Sequence, residues 1–399
     1  MVRARSASFS FGSLFSGCGG FDLGFTQSGF RCVGAFDVDP VAVENHRRNL
    51  HSPAIVWDLQ NGLPMDCFTE VDVLVAGPPC QGFSLAGGRQ MNDPRNRLLP
   101  LAATIAAAIR PKVFIAENVA GSNSGAHKAY WQKVLRIMKG AGYATRELIC
   151  VGTDHGVPQL RKRCLVIAWR TGKNLPELNG KLNGGVLRDV LANLEGVPNH
   201  DPVELEPDSR LAKIARRLRP GQKLCNVRQG SRAVHTWDIP EVFGRTNAHE
   251  RQVLEALIRI RRRRRVRSSG DADPVPIDVL EADLGFSVAP LLQALKKKGF
   301  VREREGLFDL MHTFNGKFRR LEWDRPSYTV DTRFGDPRYF LHPSQPRGFS
   351  AREAARIQGF PDSYIFSGST KAQFRMIGNA VPPPMGRAIA EFVRFALRD

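Results

Sequence analysis

A cysteine and a glutamate stand at the ends of two adjacent candidate strands. The first strand ends in Ala76-Gly77-Pro78-Pro79-Cys80-Gln81, and the next ends in Ala116-Glu117-Asn118-Val119. Two prolines fix the backbone just before Cys80, so we expect its thiol to be presented at the sheet edge and not buried. A thiol and a carboxyl group at one edge are the groups that nucleophilic and acid–base chemistry require. The structural alternative is that Cys80 is a small buried hydrophobe and Glu117 a helix cap.

A glycine-rich turn follows the first candidate strand, in the segment Phe15-Ser16-Gly17-Cys18-Gly19-Gly20-Phe21. It opens a helix, where backbone N–H groups can approach a polar ligand closely. Asp37 ends the second strand, where it can accept ribose hydroxyls, and Asp58 ends the third, where it can accept an adenine amino group. These strand ends predict a nucleoside-bearing cofactor at the carboxyl edge of the sheet. Because the loop lacks a strict G-x-G-x-x-G, the alternative is a tight turn without a ligand.

The first 170 residues alternate short apolar runs with helical patterns, which predicts a doubly wound, mostly parallel α/β sheet with helices on both faces. The candidate strands are Phe11–Phe15, Cys32–Phe36, Ala54–Trp57, Val71–Ala76, Val113–Ala116, Thr145–Val151 and Leu165–Ala168. The candidate helices are Phe21–Ser28, Pro40–Asn49, Leu98–Ile109 and Lys128–Lys139.

From Thr171 onward the pattern changes to a segment rich in Gly, Asn and Pro, followed by a helical region. The candidate elements there are the helices Ala248–Ile260, Ile277–Leu284 and Val288–Lys298, and an alternating hairpin over Phe300–Leu310. Three helices and a hairpin resemble a winged helix-turn-helix, although a small α+β insert of another kind has the same pattern. After Trp323 the chain returns to motif-like sequence and ends in a candidate helix, Met385–Leu397.

Positive charge is concentrated in one part of this chain of 399 residues, whose formal net charge is +19. Residues 208–268 hold 17 basic and 5 acidic residues, which is 12 of those 19 charges. This segment includes Arg216, Arg217 and Arg219 and the run Arg261–Arg265. We interpret it as a surface that contacts nucleic acid phosphates, because no acidic block offsets it. A solvated loop or linker is the alternative.

Several classes of protein are disfavoured by composition. The sequence contains no run of 18 apolar residues and no apolar segment of a secretory signal, so we expect no membrane association. Seven cysteines without a Cys-x-x-Cys pair indicate neither a disulfide framework nor a zinc site. We therefore expect no metal and a cytoplasmic, nucleoid-associated location.

The ordered set of motifs resembles that of the cytosine-C5 DNA methyltransferases over most of the chain outside Thr171–Leu321. The resemblance rests on Phe15–Gly20, Asp37, Asp58, Pro78-Pro79-Cys80-Gln81, Glu117-Asn118-Val119, Gln159-Leu160-Arg161-Lys162-Arg163, Ser350–Pro361 and Gly378-Asn379-Ala380-Val381-Pro382-Pro383. The sequence departs from the family at Ser13, where members often have an acidic residue, and at Val38, where many have an aromatic or other large residue.

The resemblance implies S-adenosylmethionine as cofactor, S-adenosylhomocysteine as product, and a catalytic set made of Cys80, Glu117, Arg161 and Arg163. The implied cofactor-binding residues are Phe15, Gly17, Cys18, Gly19, Gly20, Asp37, Val38, Asp58, Leu59, Pro78, Leu98 and Asn379. The expected DNA-binding residues are Gln81, Ser84, Arg216, Arg217, Arg219, Arg261 and Arg263.

The family mechanism implies that Cys80 attacks C6 of a cytosine flipped out of duplex DNA, so that C5 becomes nucleophilic. Glu117 would hydrogen-bond N3, which requires a raised pKa. Arg163, with Arg161 nearby, would bind O2 and favour the thiolate of Cys80.

The resemblance also predicts how the chain is divided and what it works with. We expect a discontinuous catalytic domain, residues 1–175 and 323–399, interrupted by a target-recognition domain, residues 176–322. The expected partner is double-stranded DNA, with a separate cognate restriction endonuclease, and the expected state is a monomer. The alternatives are a tRNA cytosine-C5 methyltransferase and a catalytically silent DNA-binding regulator. A nicotinamide oxidoreductase is disfavoured by the glycine pattern.

Overall fold

The computed structural model describes residues 8–64, 67–68, 70–79, 93–123, 125–173, 175–178, 182–266 and 272–398. It divides the chain into two compact units. The first unit comprises the described residues of Met1–Asp201, Trp323–Arg333 and Ala351–Asp399, and the second comprises those of Pro202–Glu322 and Phe334–Ser350. In this division the described residues of 176–201 belong to the first unit and residues 334–350 to the second.

The N-terminal part of the first unit alternates strands and helices. Its strands are β1 (Ser10–Leu14), β2 (Arg31–Asp37), β3 (Ala54–Val56), β4 (Val73–Ala76), β5 (Val113–Val119), β6 (Ala144–Val151) and β7 (Lys162–Trp169). Its helices are α1 (Gly20–Gln27), α2 (Pro40–Leu50), α3 (Leu98–Ile109), α4 (Lys128–Gly140) and α5 (Leu187–Val190).

The seven strands form one sheet in the order β3-β2-β1-β4-β5-β7-β6. β1 to β5 pair in parallel, and β7 runs antiparallel to both β5 and β6. The direction of strand addition reverses beside β1, whose neighbours are β2 and β4. In open α/β sheets a ligand binds at such a switch point, outside the carboxyl ends of the strands. The predicted α/β fold is confirmed.

Alternate residues of each strand point to opposite sides of the sheet, and an apolar core covers each side. Val73 and Val75 belong to one apolar core, and Leu74 and Ala76 to another on the opposite face. The first core also contains residues of α1 and of the C-terminal helix. Contact between these helices needs glycine, since a Cβ on Gly24 would lie 2.4 Å from the backbone nitrogen of Arg387.

The second unit contains short strands and helices with two apolar cores. Its elements are α6 (Arg210–Arg217), β8 (Lys223–Cys225), β9 (Ala233–Val234), α7 (Pro240–Phe243), α8 (Ala248–Arg263), β10 (Val275–Pro276), α9 (Ile277–Leu284), α10 (Ala289–Lys297), β11 (Val301–Arg304), β12 (Leu307–Leu310), β13 (Asn315–Lys317), β14 (Arg319–Arg320) and β15 (Phe340–Leu341). The first unit is completed by α11 (Ala351–Ile357), α12 (Thr370–Asn379) and α13 (Pro383–Leu397).

The elements from α8 to β12 have the order of a winged helix-turn-helix, as the sequence pattern predicted. Three helices are followed by the hairpin β11–β12, and β10 pairs with β12 in a three-stranded sheet ordered β10-β12-β11. One apolar core, which includes Leu254, Leu280 and Leu292, joins the three helices to this sheet.

Candidate active site

A cavity of about 720 Å3 lies at the carboxyl edge of the large sheet, where the strand order reverses. Its lining comes from the ends of β1, β2, β4 and β5, from the residues after β3, from the starts of α1, α3 and β7, and from the end of α12. All of these residues belong to the first unit. The lining includes Phe15, Gly17, Cys18, Gly20, Asp37, Val38, Asp58, Leu59, Pro78, Leu98, Glu117, Arg163 and Asn379.

Asp37 holds the glycine-rich turn in place at the cavity wall. One carboxylate oxygen accepts a hydrogen bond from the backbone N–H of Gly17 at 2.9 Å, and the other accepts one from Asp39, also at 2.9 Å. Burial raises the pKa of Asp37. Gly17 and Gly19 have φ angles of 54° and 85°, which side chains rarely adopt, so glycine is required for this turn. A ligand at this wall meets a carboxylate and a turn of backbone held in one conformation.

Eleven of the twelve residues expected to bind a cofactor line this cavity, and Gly19 is the exception. Gly19 packs against α2, where an added Cβ would lie 2.6 Å from both His46 and Leu50. Asp58 begins a short helix by accepting a hydrogen bond from the Gln60 N–H at 2.9 Å. Val38 is 61% exposed. The strand ends predicted from sequence are therefore brought to one cavity.

Sequence reasoning missed several residues of the same lining. Trp57 stands directly before Asp58, and its indole N–H donates to the Gly62 carbonyl at 2.8 Å. It supplies an aromatic surface in a cavity where Val38 offers none. Arg375 forms an ion pair with Asp39 at 2.6 Å, and both line the cavity. The position of Trp57 directly before Asp58 could have indicated its place in the lining. The pairing of Arg375 with Asp39 could not be read from the sequence, because the two residues are 336 positions apart.

The departure at Ser13 has a structural explanation in α1. The Ser13 hydroxyl donates to the carboxylate of Asp22 at 2.8 Å, and both residues line the cavity. The other oxygen of Asp22 contacts Nε2 of the buried His46 at 2.6 Å. A carboxylate is therefore present at this wall, supplied by α1 and not by β1.

Glu117 and Arg163 form a buried ion pair at the opposite side of the lining. The Arg163 Nε lies 2.6 Å from a carboxylate oxygen of Glu117, and the side chains are 9% and 8% exposed. The two residues face the same way because the β5–β7 register pairs Val119 with Arg163 and Glu117 with Leu165. Burial raises the pKa of Glu117, and the positive charges of Arg163 and Arg161 oppose this rise.

The segment that leads to Cys80 lies beside this pair. Pro78 and Pro79 line the same cavity, and the Asn118 side chain donates to the Pro78 carbonyl at 3.3 Å. Cys80 itself lies outside the described residues, as do Gln81 and Ser84. Burial raises the pKa values of Cys18, Cys32 and Cys150 to about 12, which keeps these thiols protonated and makes them poor nucleophiles.

Arg161, which was expected near Arg163 in the catalytic set, does not line the cavity. It is fully buried and donates to three backbone carbonyls, those of Val330 at 2.9 Å, Gly378 at 3.1 Å and Ala380 at 2.8 Å. These bonds hold the backbone on both sides of Asn379, so Arg161 is a positioning residue. Its positive charge opposes the rise that burial causes in the pKa of Glu117.

The basic residues expected to contact DNA fall into two groups within the second unit. Arg216, Arg217, Arg219 and Arg263 are exposed. Arg261 is only 2% exposed and forms an ion pair with Asp309 at 2.5 Å. Its guanidinium joins α8 to β12 and is not presented to solvent, so the expectation that Arg261 contacts DNA is corrected.

Within the part of the chain that the structure describes, no three His, Cys, Asp or Glu side chains are grouped as metal ligands. Over the same residues, none of the helices combines the length and the apolar character needed to cross a bilayer.

Solved structures share the doubly wound α/β fold of this chain. A protein described as a DNA modification methyltransferase, encoded within an E. coli prophage, aligns with a TM-score of 0.61 at 22% identity over 98% of this chain and 100% of that chain. The S. pombe Dnmt2 methyltransferase aligns with a TM-score of 0.53 at 16% identity, over 97% and 98% of the two chains.

Sequence comparison then identifies the family. The family model of the C-5 cytosine-specific DNA methylases matches residues 9–394. The type II methyltransferase M.AgeI of Thalassovita gelatinovora is 31% identical over 96% of this chain and 99% of its own length, and M.XorII of Xanthomonas oryzae pv. oryzae is 28% identical over 96% and 84%. The chain belongs to the C-5 cytosine-specific DNA methylase family, and it is a DNA (cytosine-5) methyltransferase.

Proposed function

We propose that this enzyme methylates a flipped cytosine of a specific duplex DNA sequence through a covalent bond between Cys80 and C6. The observation that carries the proposal is the buried Glu117–Arg163 pair, which lies in the same cavity as the Pro78-Pro79 segment directly before Cys80. Negative charge develops on the pyrimidine ring during this reaction. A carboxyl group of raised pKa can donate a hydrogen bond to the ring, and the neighbouring guanidinium can stabilise the charge.

The cavity residues fit S-adenosylmethionine as the methyl donor. The Asp37 carboxylate and the neighbouring glycine turn suit a ribose, and Asp58 with the aromatic Phe15 and Trp57 suits an adenine. The Ser16 hydroxyl at this wall is buried without a hydrogen-bond partner among the described residues, so a polar ligand would satisfy it. When bound, S-adenosylmethionine supplies the methyl group.

The residues of the chain would act on the cytosine ring in a defined order. The Cys80 thiolate adds to C6, and the electrons of the C5=C6 bond move towards N3 and O2, which makes C5 nucleophilic. Glu117 holds a proton at N3, and Arg163 binds O2 while keeping the carboxyl group in place. After C5 has bonded to the methyl group, loss of the C5 proton to solvent water and departure of Cys80 as a thiolate re-form the C5=C6 bond, and the proton at N3 returns to Glu117.

The proposal assigns target recognition to the second unit and catalysis to the first. The exposed residues Arg216, Arg217, Arg219 and Arg263 supply cations for DNA phosphates. The enzyme would act as a monomer on nucleoid DNA in the cytoplasm. The names of M.AgeI and M.XorII support a role beside a cognate restriction endonuclease.

Mapping methylated cytosines in a bacterial host that expresses the protein tests this proposal. We expect 5-methylcytosine at one recurrent DNA sequence and none above background in cells that carry the empty vector. Purified protein should incorporate methyl groups into duplex DNA and not into tRNA. Incorporation into tRNA alone would favour the RNA methyltransferase. Absence of incorporation into both, with DNA binding retained, would favour the silent regulator.

Asp37→Asn should weaken S-adenosylmethionine binding by about 10- to 100-fold, since a hydrogen bond to a charged group contributes about 1.5–3 kcal/mol. The matched control is Asp72→Asn at the opposite edge of the sheet, where the Asp72 carboxylate accepts hydrogen bonds from the N–H and hydroxyl of Ser10. Titration calorimetry measures both affinities, and thermal melting verifies folding. A dissociation constant of Asp37→Asn equal to that of the control would refute the role of Asp37.

A further inference from the structure

The winged helix-turn-helix of the second unit, Ala248–Leu310, has the organisation of a module with its own function. Fifteen buried residues among those described in the module form its apolar core together with Trp237, and Leu257, Leu295 and Phe308 show that helices and hairpin share this core. A core of this kind holds the second and third helices, α9 and α10, and the hairpin β11–β12 in a fixed arrangement. The free faces of these elements are thus presented together.

The outer face of α10 is exposed. Ala289, Pro290, Gln293, Lys296 and Lys297 are exposed, whereas Leu292 and Leu295 point into the core. No acidic residue occurs between Ala289 and Lys298. Small side chains at the start of the helix permit close approach, and a glutamine amide can pair with the edge of an adenine in the major groove.

Three cations on or close to this face are bound to acids, and the first of them, Lys296, contacts Glu303 of β11 at 2.8 Å. Lys298 contacts Glu250, which is 2% exposed, at 2.6 Å, and Arg302 contacts Asp309, which is 7% exposed, at 2.7 Å. If the cation moved to a DNA phosphate, the buried carboxylate would be left without its partner, which is unfavourable. We therefore assign Lys298 and Arg302 to the stability of the module.

Other cations of the module remain available to an anion. Arg304 is at the turn of the hairpin, where it and its neighbour Glu305 are 90% and 80% exposed and their charged groups are 3.6 Å apart. Such exposed pairs contribute little and yield readily to a phosphate. Lys297 is exposed on α10, and Arg262, Arg263 and Arg264 are exposed at the end of α8. Two of the three acids of α9 are engaged, since Glu281 accepts a hydrogen bond from the Val288 N–H and Asp283 pairs with Arg259, while Asp278 is exposed in the first turn of this helix.

We propose that this winged helix-turn-helix binds duplex DNA, with α10 in the major groove and the hairpin turn at Arg304 on the phosphate backbone. This is the docking geometry in which the second helix of a helix-turn-helix reads base edges. This inference rests on the proposed function, from which it takes duplex DNA as the substrate. It adds a second contact surface, formed by α10 and the hairpin, to the exposed arginines of α6.

The test compares two charge-reversed forms of the full-length enzyme. The module variant is Lys297→Glu with Arg304→Glu. The control is Arg136→Glu with Lys139→Glu on α4 of the first unit, where both side chains are exposed. Each variant replaces one lysine and one arginine by glutamate, so the change in net charge is the same. The affinity for a 40-base-pair duplex is measured by fluorescence anisotropy over a range of salt concentrations.

We expect the module variant to bind duplex DNA about 10- to 100-fold more weakly than wild type near physiological salt, and the control to bind within about 3-fold of it. The plot of log affinity against log salt concentration should become shallower by about 1.8 for two lost phosphate contacts, at about 0.9 each. Both variants should keep the wild-type affinity for S-adenosylhomocysteine and the wild-type melting temperature, which shows that they are folded.

Equal DNA affinities and equal salt slopes for the two variants would overturn the inference and point to a protein partner for α10. Cytosine methylation by the wild-type enzyme is scored separately. If the wild type methylates cytosine and the two variants bind alike, the proposed function stands and the inference fails. If cytosine is not methylated but the module variant alone loses affinity, the inference stands and the proposed catalysis fails.

Discussion

Cys80→Ser is expected to lower methyl transfer by at least about 10^4-fold, the range found when a covalent nucleophile is removed. A serine hydroxyl remains protonated at neutral pH, so it cannot add to C6 as a thiolate does. The loss should lie in kcat. The lining of the cofactor cavity is unchanged in this variant, and S-adenosylmethionine affinity should stay within about 2-fold of wild type.

Covalent trapping provides the direct measurement. DNA that contains 5-fluorocytosine cannot lose a proton from C5, so the enzyme should remain bonded to the DNA and migrate more slowly on a denaturing gel. We expect this adduct with wild type and none with Cys80→Ser. Cys32→Ala is the matched control, because burial raises the pKa of Cys32 to about 12 and keeps that thiol protonated. An adduct with Cys80→Ser, or its loss in Cys32→Ala, would refute the assignment of Cys80.

The strands that position the site could be predicted because their pattern is local. A strand of a parallel sheet that is covered on both faces is continuously apolar and ends where a polar or glycine residue begins. Asp37 and Asp58 follow such runs, so their arrival at one edge of the sheet follows from strand direction alone. Glu117 was predicted at a strand end for the same reason, although β5 continues to Val119.

The roles of the arginines could not be predicted in this way, because they depend on partners that are distant in sequence. Arg161 donates to carbonyls of residues 330, 378 and 380, which the chain reaches only after Pro202–Glu322, the larger part of the second unit. Arg261 belongs to a run of five arginines, yet it alone of the five is buried, where it forms an ion pair with Asp309 on β12. A charge run in a sequence shows where cations are abundant, while the fold decides which of them face solvent.

Glu117→Gln is expected to lower kcat by about 10^2- to 10^4-fold, the range attributed to a general acid or base. A glutamine amide can donate an N–H to N3 of cytosine, but it cannot transfer a proton. Glu147→Gln on β6 is the control, since the Glu147 carboxylate accepts a hydrogen bond from the Trp131 indole at 2.6 Å, away from the cavity lining. We expect near wild-type turnover from that control in single-turnover assays.

The pH profile separates a proton-holding role of Glu117 from a merely structural one. Burial raises the pKa of Glu117, so the carboxyl group keeps its proton to higher pH than an exposed glutamate does. Activity that needs this proton is complete below the raised pKa and is lost as the pH rises through it. In Glu117→Gln this loss should be absent, and the residual rate should rise with pH as Cys80 ionises. If both enzymes lose activity over the same alkaline range, Glu117 does not supply the proton at N3, and the buried pair with Arg163 serves only to hold β5 against β7.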